Sequence, residues 1–385
     1  MANPQLAIED FDYHLPPELV AQYPARRRAD ARMLVVRRKE KQLEDATFRQ
    51  LPKFLEPEDV LALNNSRVLP ARLFGYRMGV RSQPIGKRNP ALHEYLHSQI
   101  EALLVRQLDE RTWEALVKPG RKVRLGEKLV FCDAAATGPG EQQKQKKGRP
   151  LGGITLEAEV IGRGEYGLRI LRFPEGIPLS EMLERVGHVP LPPYIRRPDE
   201  KQDRLRYQTV YARQPGSVAA PTAGLHFTKE ILYELEKRGV ERVEITLHVG
   251  LGTFQPIHAP KIEQHRMHPE RFEVEPEAAA RLNRALEEQR RIVAMGTTTV
   301  RTLEHVAAEH GGRIEAGGGE TQLFILPGFP FRVVKGLLTN FHLPRTTLLM
   351  LVCAFAGRDL TLAAYEHAVR ERYRFYSYGD CMLIL

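Results

Sequence analysis

The spacing of apolar positions changes along the chain and predicts two kinds of structure. Before residue 70, short apolar runs between turn residues predict strands at 33–38 and 59–64, with a short helix at 47–51 between them. From residue 72 to residue 173, five or six segments rich in Val, Leu and Ile follow one another, separated by turn signals. This density of short strands predicts a small antiparallel barrel.

After residue 173, helices return and alternate with strands. We predict helices at 179–186, 229–238, 277–290, 299–310, 345–356 and 361–373, and strands at 241–249, 291–295, 321–326 and 333–338. Alternation of this kind is typical of an α/β fold with helices on the faces of a sheet. We therefore expect an α/β domain with a mixed or parallel sheet, built from residues 1–70 and 174–385, and an inserted antiparallel β-barrel domain at residues 71–173.

Composition adds expectations about partners and location. With 385 residues, 42% apolar and 27% charged, the chain is long enough for two domains and too apolar for global disorder. A net charge of +9 favours an anionic partner such as nucleic acid. Three widely separated cysteines indicate reduced thiols rather than a disulfide framework or a zinc cluster. No uncharged run reaches membrane-spanning length, so we expect a cytoplasmic protein without a membrane partner.

Two glycine motifs and one group of histidines are interpreted as structural. Gly162–Gly167 matches the spacing G-x-G-x-x-G, but a strand follows it where a dinucleotide-binding fold needs a helix. The glycines at 250 and 252 fail in the same way, because prolines follow them. No metal site is expected from three histidines of a polar loop that lacks the usual metal-binding spacings, His258, His265 and His268.

One loop and three strand ends carry the polar residues that suit a ligand site. The loop at 219–228 places Thr222 and His226 just before a helix that Thr228 caps. Ligands of open α/β sheets bind at the carboxyl ends of strands, and helix N-termini bind anions. We predict that this loop forms one crevice with the strand ends at 249–254, 296–301 and 339–342.

These segments resemble a known family. The chain contains, in order, NNSRVLPARL, GHVPLPPYIRR, AAPTAGLHFT, VGLGTF, GTTTVRTLE, TNFHLP and FYSYGD. These blocks are similar to those of the S-adenosylmethionine:tRNA ribosyltransferase-isomerases of queuosine biosynthesis, and the resemblance covers nearly the whole chain. The departures are Thr299, where Ser is expected, Arg345 and Thr346, where Lys and Ser are expected, and two long loops, at 79–99 and 135–153. The second loop has the composition of a solvated, mobile segment.

The resemblance implies a reaction. S-adenosylmethionine donates its ribosyl moiety to 7-aminomethyl-7-deazaguanine at the wobble position of a tRNA with a GUN anticodon. The products are epoxyqueuosine in the tRNA, adenine and methionine. The family works without a metal or other cofactor, because S-adenosylmethionine is consumed as a substrate. We expect a monomer.

The residues suggest roles for this chemistry, which needs a base at C5′, an acid for adenine and a clamp for a carboxylate. His226 is our candidate base, oriented by Thr222, and either His248 or His342 is the candidate acid. Arg301, with the N–H groups of 297–299, is expected to hold the methionine carboxylate. The aminomethyl ammonium is assigned to Asp380.

Two further sets of residues are predicted to contact substrates. Substrate-binding positions lie at the crevice: Pro221, Gly224, Gly250, Gly252, Phe254, Thr297, Thr298, Arg301, Asn340, Phe341 and Tyr378. Phosphate contacts to tRNA are expected from arginines: Arg26, Arg27, Arg28, Arg67, Arg196 and Arg197.

Two other classes of protein remain open at this point. A non-catalytic tRNA-binding module would contact phosphates through Arg26–Arg28, Arg196, Arg197 and Lys201–Arg206, and its barrel would hold RNA. An S-adenosylmethionine-dependent methyltransferase would need a glycine-rich loop after its first strand, which residues 33–38 do not supply. The products separate the three: adenine with methionine, S-adenosylhomocysteine, or none.

Overall fold

The computed structural model describes residues 6–78, 99–132, 154–164, 167–250 and 262–385. The chain divides into two compact units. Unit 1 combines Met1–Arg67 with Leu191–Leu385, and unit 2 is Val68–Pro190. The predicted loops at 79–99 and 135–153 lie almost entirely outside the described residues.

Unit 1 is built on a nine-stranded mixed sheet. Its strands, in chain order, are β1 (Arg32–Arg37), β2 (Gln42–Thr47), β3 (Val60–Asn64), β12 (Glu241–Leu247), β13 (Glu270–Val274), β14 (Ile292–Met295), β15 (Gly317–Thr321), β16 (Val334–Asn340) and β17 (Cys381–Ile384). Their order across the sheet is β15-β13-β12-β3-β14-β16-β17-β1-β2. Two short strands, β4 (Ser66–Val68) and β11 (Gln214–Ser217), form a separate pair.

Four neighbouring strands at the centre of the sheet, β12, β3, β14 and β16, are parallel. Every residue of β3 and β14 is buried, as expected for parallel strands covered on both faces. Along β3 the side chains alternate between two apolar clusters: Val60 and Ala62 join one, while Leu61 and Leu63 join the other. The parallel arrangement brings the carboxyl ends of all four strands to one edge of the sheet.

The chain termini complete that edge. β17 is antiparallel to β16, with Cys381 opposite Asn340, and β1 is parallel to β17, with Met33 opposite Cys381. This topology brings the segment before β1 and the segment before β17 to the edge of the sheet where the central strands end.

The described residues of unit 1 form six α-helices: α2 (Asp203–Arg206), α3 (Lys229–Lys237), α4 (Pro276–Glu287), α5 (Thr297–Glu309), α6 (Thr347–Ala356) and α7 (Arg358–Arg370). Residues of α3 join one apolar cluster and residues of α4 to α7 join the other, so the sheet has helices on both faces. Within the described ranges, no single helix has the length and apolar composition needed to cross a membrane. The pair α6 and α7 would satisfy both criteria together, and its two helices meet at 115°.

Unit 2 is a closed antiparallel barrel followed by one helix. Its strands are β5 (Arg72–Arg77), β6 (Gln99–Gln107), β7 (Thr112–Lys118), β8 (Lys128–Cys132), β9 (Thr155–Arg163) and β10 (Arg169–Arg172), and the helix is α1 (Leu179–Val186). The strand order is β10-β7-β6-β5-β8-β9, and β9 closes the barrel on β10. The backbones pack tightly at Gly75, where an added Cβ would lie 2.1 Å from the carbonyl oxygen of Val130.

The predicted fold class is confirmed: a mixed α/β sheet built from both chain ends, with an inserted antiparallel barrel. β9 ends at Arg163, inside the motif Gly162–Gly167, and β10, its antiparallel partner, begins at Arg169, so a strand rather than a helix comes after the motif, as predicted. Helix α1, which lies beyond the predicted end of the insert at 173, falls in unit 2.

Candidate active site

A cleft of about 670 Å³ opens at the edge where the central strands end. The loop after Ala219 contributes 220–223, β12 contributes Val249 just beyond its end, and the β14–α5 turn contributes 296–298. The end of β16 contributes 339–343. The predicted loop and the three predicted strand ends therefore meet around one cavity.

The N-terminus of α5 forms one wall of the cleft. Gly296 is the N-cap, with φ of 87°, a conformation that favours glycine, and it has no side chain with which to cap the helix. Thr297 and Thr298, both buried, follow at the first two helical positions. The hydroxyl of Thr299 donates to the carbonyl oxygen of Met295 at 2.8 Å, which fixes the turn. The first N–H groups of a helix have no acceptor within the helix and favour a nearby anion or carboxylate.

Two tyrosines form an aromatic wall. The rings of Tyr194 and Tyr376 lie with centroids 4.1 Å apart at 39°, and both residues line the cleft. Among the described atoms, the buried hydroxyl of Tyr376 has no hydrogen-bond partner. Tyr376 also has φ of 73°, a strained conformation for a bulky residue. An aromatic platform with an unpaired hydroxyl suits a flat, polar ring system such as a purine.

Asn340 is the last residue of β16, His342 lies two positions further along the chain, and both line the cleft. His342 Nε2 lies 2.8 Å from the hydroxyl of Thr339, and burial lowers the pKa of His342 to about 3. The carboxamide oxygen of Asn340 is buried without a partner in the described part of the chain. The cleft therefore offers a neutral imidazole and an unpaired acceptor side by side.

His226 lies behind Asn340. It is 4% exposed, and Asn340 Nδ2 approaches its Nε2 at 3.3 Å. Burial, then the charges of Arg374 and Arg28, lower the pKa of His226 to about 3. The imidazole lines a second, smaller cavity of about 250 Å³, whereas Thr222 lines the cleft itself. The hydrogen bond that the structure gives to this ring thus comes from Asn340, and orientation by Thr222 stays a prediction.

Other predicted residues lie outside the cleft lining. Arg301, 2% exposed, forms an ion pair with Glu270 and donates from Nε to the carbonyl oxygen of Leu323 at 2.9 Å. Gly296, Thr297 and Thr298, at the N-terminus of α5, line the cleft, and Arg301 does not. Gly224 is required by close packing, because an added Cβ would lie 2.1 Å from the hydroxyl of Tyr211.

The remaining candidates for proton transfer and ammonium binding are also placed. The carboxylate of Asp380 accepts N–H groups of Arg32 at 2.9 Å and Arg374 at 2.8 Å, so it organises the C-terminal segment. Burial raises its pKa above the ordinary value. His248, at the end of β12, lines neither cavity; burial lowers its pKa. The N–H of Gly250 approaches Glu270 at 3.4 Å.

The predicted arginines differ sharply in their surroundings. Arg26, Arg27, Arg67 and Arg196 are exposed. Arg197 instead binds buried Asp203 through two hydrogen bonds of 2.7 and 2.9 Å. Those two oxygens belong to the same carboxylate that accepts the hydroxyl of Tyr378 at 2.7 Å. Arg197 and Tyr378 are therefore parts of one internal network.

The sequence suggested no role for Tyr194, Tyr376 and Arg374, and it suggested one for Arg206 only within the alternative of a tRNA-binding module. Tyr194 and Tyr376 lie in the blocks GHVPLPPYIRR and FYSYGD, which supplied a signal that was not used for site residues. Phe341 is a core residue that also borders the cleft, and Pro221 lines it. Gly252, Phe254 and His258 lie outside the described residues. Within the described ranges, no group of three or more His, Cys, Asp or Glu side chains is placed to hold a metal.

The fold and the cleft define an α/β enzyme with an inserted barrel, whose site combines an aromatic platform with an anion-binding helix N-terminus. Comparison with known proteins specifies the family. The family model described as "Queuosine biosynthesis protein" matches residues 8–384. The chain therefore belongs to the queuosine biosynthesis family of S-adenosylmethionine:tRNA ribosyltransferase-isomerases, as the sequence blocks indicated.

Individual relatives agree along the full length. A protein of Solibacter usitatus named S-adenosylmethionine:tRNA ribosyltransferase-isomerase is 52% identical over 380 residues, covering 98% of this chain and 99% of its own. One of the same name from Carboxydothermus hydrogenoformans is 47% identical, with 99% and 100% covered. The crystal structure of S-adenosylmethionine tRNA ribosyltransferase from Thermotoga maritima is 38% identical, with 98% and 100% covered and a TM-score of 0.51. These matches do not support a methyltransferase or a non-catalytic binding module.

Proposed function

We propose that this enzyme transfers and isomerises the ribosyl moiety of S-adenosylmethionine onto 7-aminomethyl-7-deazaguanine at the wobble position of a tRNA with a GUN anticodon. The products are epoxyqueuosine in the tRNA, adenine and methionine. The observation that carries the proposal is the presence of two features in one cleft, the tyrosine pair Tyr194–Tyr376 and the N-terminus of α5. S-adenosylmethionine has a purine for the first and a carboxylate for the second.

The carboxylate of the methionine moiety is assigned to the N–H groups of Thr297 and Thr298. Because they open a helix of thirteen residues, they combine free donors with the positive end of the helix dipole. Arg301 lies one turn further along α5 and is neutralised by Glu270, so it adds no free charge in the described structure. Its predicted contact with the carboxylate would require this ion pair to open.

The purine is assigned to the tyrosine pair. Aromatic side chains bind flat heterocycles by stacking, at about 1–3 kcal/mol per base in nucleic-acid complexes. The unpaired hydroxyl of Tyr376 and the unpaired carboxamide oxygen of Asn340 offer hydrogen bonds to ring edges or to amino groups. Filling both would remove buried polar groups that have no partner, which is itself favourable.

Proton transfer is assigned to the two buried histidines. The positively charged sulfur of S-adenosylmethionine acidifies the hydrogens on C5′, so a neutral imidazole can remove one as a proton. The bond between the sugar and adenine then breaks, and its electron pair leaves with adenine. His226 is the proposed base, through Nε2, and a substrate hydrogen that reaches it replaces the long contact from Asn340. His342 lines the cleft and His248 does not, so His342 is the proposed acid for adenine; because burial keeps its imidazole neutral near pH 7, it must first gain a proton from solvent in the substrate complex.

The exposed arginines Arg26, Arg27, Arg67 and Arg196 are assigned to tRNA phosphates, and the enzyme is expected to need no metal or organic cofactor. We also expect it to act as a monomer in the cytoplasm. These assignments follow the family resemblance and the exposure of the side chains.

Product analysis tests the function. The enzyme is incubated with S-adenosylmethionine and a tRNA that carries 7-aminomethyl-7-deazaguanine at the wobble position, and the nucleosides and small molecules are identified by mass spectrometry. We expect epoxyqueuosine, adenine and methionine in equal amounts. A matched tRNA with guanine at that position should give none of them. Formation of S-adenosylhomocysteine, or binding without any product, would refute the proposal.

A further inference from the structure

Three arginines converge on the second cavity of unit 1. Arg28 donates to the carbonyl oxygens of Leu225 at 2.8 Å and Leu205 at 2.6 Å. Arg206 donates to the carbonyl oxygens of Ala25 at 2.6 Å and Arg26 at 3.1 Å. Arg374 does the same toward Tyr378 at 2.9 Å and Tyr23 at 3.2 Å. We call the cavity lined by Arg28, Arg206 and Arg374 the arginine pocket.

The partners of these arginines orient the guanidinium groups without neutralising them. Backbone carbonyls carry no net charge, and the carboxylate of Asp380 lies 3.9 Å from Arg374 Nε. That carboxylate already accepts two backbone N–H groups, and buried Asp203 is bound by Arg197. The arginine pocket therefore holds an excess of positive charge.

Two further observations favour the binding of an anion between these arginines. Arg206 Nε is buried without a hydrogen-bond partner in the described part of the chain. Burial, and next the charge of Arg206, lower the pKa of Arg28 to about 10. Clustered, partly buried cations are unfavourable unless a counter-charge enters between them, and guanidinium groups match phosphate oxygens with paired hydrogen bonds.

The rim of the arginine pocket suits a polymer rather than a small metabolite. Tyr23 is 49% exposed and Leu205 is 75% exposed, and the backbone carbonyls of both accept hydrogen bonds from the pocket arginines. Arg26 and Arg27, both exposed, precede Arg28. Aromatic and apolar side chains beside arginines are typical of surfaces that bind unstacked RNA nucleotides.

The arginine pocket adjoins the cleft. Ser377 lines both cavities, and Asn340, in the cleft wall, contacts His226 of the arginine pocket. A group held between the arginines would therefore lie next to the cleft in which the transfer is proposed.

We propose that the arginine pocket binds a phosphodiester of the RNA substrate, adjacent to the nucleotide whose base enters the cleft. The inference rests on the proposed function, because it takes the polymer to be RNA with its reacting base in the cleft. It differs from a binding site for the carboxylate of S-adenosylmethionine, which the N-terminus of α5 already provides. The bound phosphate positions the wobble nucleotide and compensates the charge of the three arginines.

The first test measures binding, not turnover. Affinity for an unmodified anticodon stem-loop is measured between 50 and 300 mM KCl for the full-length enzyme, for Arg206→Gln/Arg374→Gln, and for the charge-matched control Arg313→Gln/Arg332→Gln. The control arginines are exposed and line neither cavity. We expect the pocket variant to bind about tenfold more weakly than the control, with a salt slope smaller by about 0.7–0.9, the value for one phosphate. Equal slopes and affinities in the two variants would overturn the proposal.

The second test uses the wild-type enzyme, so it does not depend on how a variant folds. Single linkages around the wobble nucleotide of the stem-loop are replaced by uncharged methylphosphonates. One linkage should cost about tenfold in affinity with the wild-type enzyme and almost nothing with Arg206→Gln/Arg374→Gln. The same loss in both proteins, or no sensitive linkage, would overturn the proposal.

The two anion sources are separated by calorimetry with S-adenosylmethionine alone. We expect the pocket variant to bind it within about twofold of the control. A tenfold loss for S-adenosylmethionine with an unchanged RNA salt slope would assign the arginine pocket to the methionine carboxylate and refute the proposal. Because these readouts are affinities, they can succeed or fail whether or not epoxyqueuosine is formed.

Discussion

Asn340 Nδ2 lies 3.3 Å from His226 Nε2, and the same nitrogen lies 3.3 Å from the carbonyl oxygen of Tyr376 and 3.4 Å from that of Asp380. The two carbonyl oxygens require a donor, so they fix which end of the carboxamide faces His226. His226 Nε2 must then accept, and the ring proton lies on Nδ1. Asn340 thus selects the tautomer of His226 that carries its proton on Nδ1 and directs the Nε2 lone pair toward Asn340.

Replacing His226 tests its role as base. We expect His226→Ala to fold and bind tRNA but to lose about 10²–10⁴-fold in turnover, the usual contribution of a general base. His226→Gln should not rescue the rate, since an amide can form a hydrogen bond but cannot accept the proton. Single-turnover release of adenine is the measurement. Turnover of the Gln variant near that of the wild type would transfer the role to His342 or His248.

The central part of this site followed from the sequence because it depends on local rules. Strands β3 and β14 are apolar at every position but Asn64, and such runs predict parallel strands buried on both faces. Their carboxyl ends then mark the site without any knowledge of contacts. The convergence of the segments at 220–223, 296–298 and 339–343 required only this rule.

The parts that were missed depend on long-range pairing. β2 is mostly exposed and polar, and β17 is four residues long, so neither has a periodic pattern to detect. The antiparallel pairing of β17 with β16 brings Arg374 and Tyr376, which precede β17, to the site. The burial of Arg197 could not be predicted either, because it depends on an ion pair with Asp203, a buried residue further along the chain.

Arg196 and Arg197 are adjacent, but their substitution should have different consequences. Arg197 is 10% exposed at its side chain and Asp203 is 0% exposed, so Arg197→Ala leaves a buried carboxylate without its cation. We expect a loss of about 3 kcal/mol in unfolding free energy, the lower end for a broken buried pair, because Tyr378 and the N–H of Glu200 still donate to Asp203. Urea unfolding measures it.

Exposed Arg196 serves as the matched control. Arg196→Ala should change the unfolding free energy by less than about 0.5 kcal/mol and, as a tRNA contact, should lower the salt slope of binding by about one. Equal stability of the two variants would show that the Arg197–Asp203 pair contributes nothing. An unchanged salt slope would remove Arg196 from the tRNA interface.

The N-terminus of α5 can be tested by deleting a single N–H group. Thr297 is the first helical residue, where proline is tolerated, and Gly296 has ψ of 152°, which is compatible with a following proline. Thr297→Pro therefore removes one donor from the cleft with little change in the helix. We expect it to weaken binding of S-adenosylmethionine about tenfold or more, the effect of losing a hydrogen bond to a charged group.

Thr297→Val provides the comparison for this variant, because it keeps the N–H group and removes only the hydroxyl. It should bind S-adenosylmethionine nearly as well as the wild type, and both variants should keep their affinity for tRNA. Calorimetry measures the two ligands separately. If the Val variant were impaired as strongly as the Pro variant, the hydroxyl rather than the helix N-terminus would hold the ligand.

The two buried histidines should make stability depend on pH. The pKa values of His226 and His342 are lowered from 6.5 to about 3 in the folded protein, so between these values the unfolded chain binds more protons than the folded one. Stability is then highest above pH 6.5 and falls as the pH decreases toward 3, by about 1.4 kcal/mol per pH unit for each histidine. Between pH 7.5 and 5.5 the pair should account for a loss of about 2.7 kcal/mol.

Other groups also titrate in this range, so the contribution is obtained by difference. Urea unfolding is measured at both pH values for the wild type and for His226→Gln/His342→Gln, whose amides keep hydrogen-bonding capacity but do not titrate. The wild type should lose about 2.7 kcal/mol more than the variant on acidification, whatever their stabilities at pH 7.5. Equal losses would mean that both imidazoles are already protonated or freely titrating in the folded state. The lowered pKa values of the two imidazoles would then have no support.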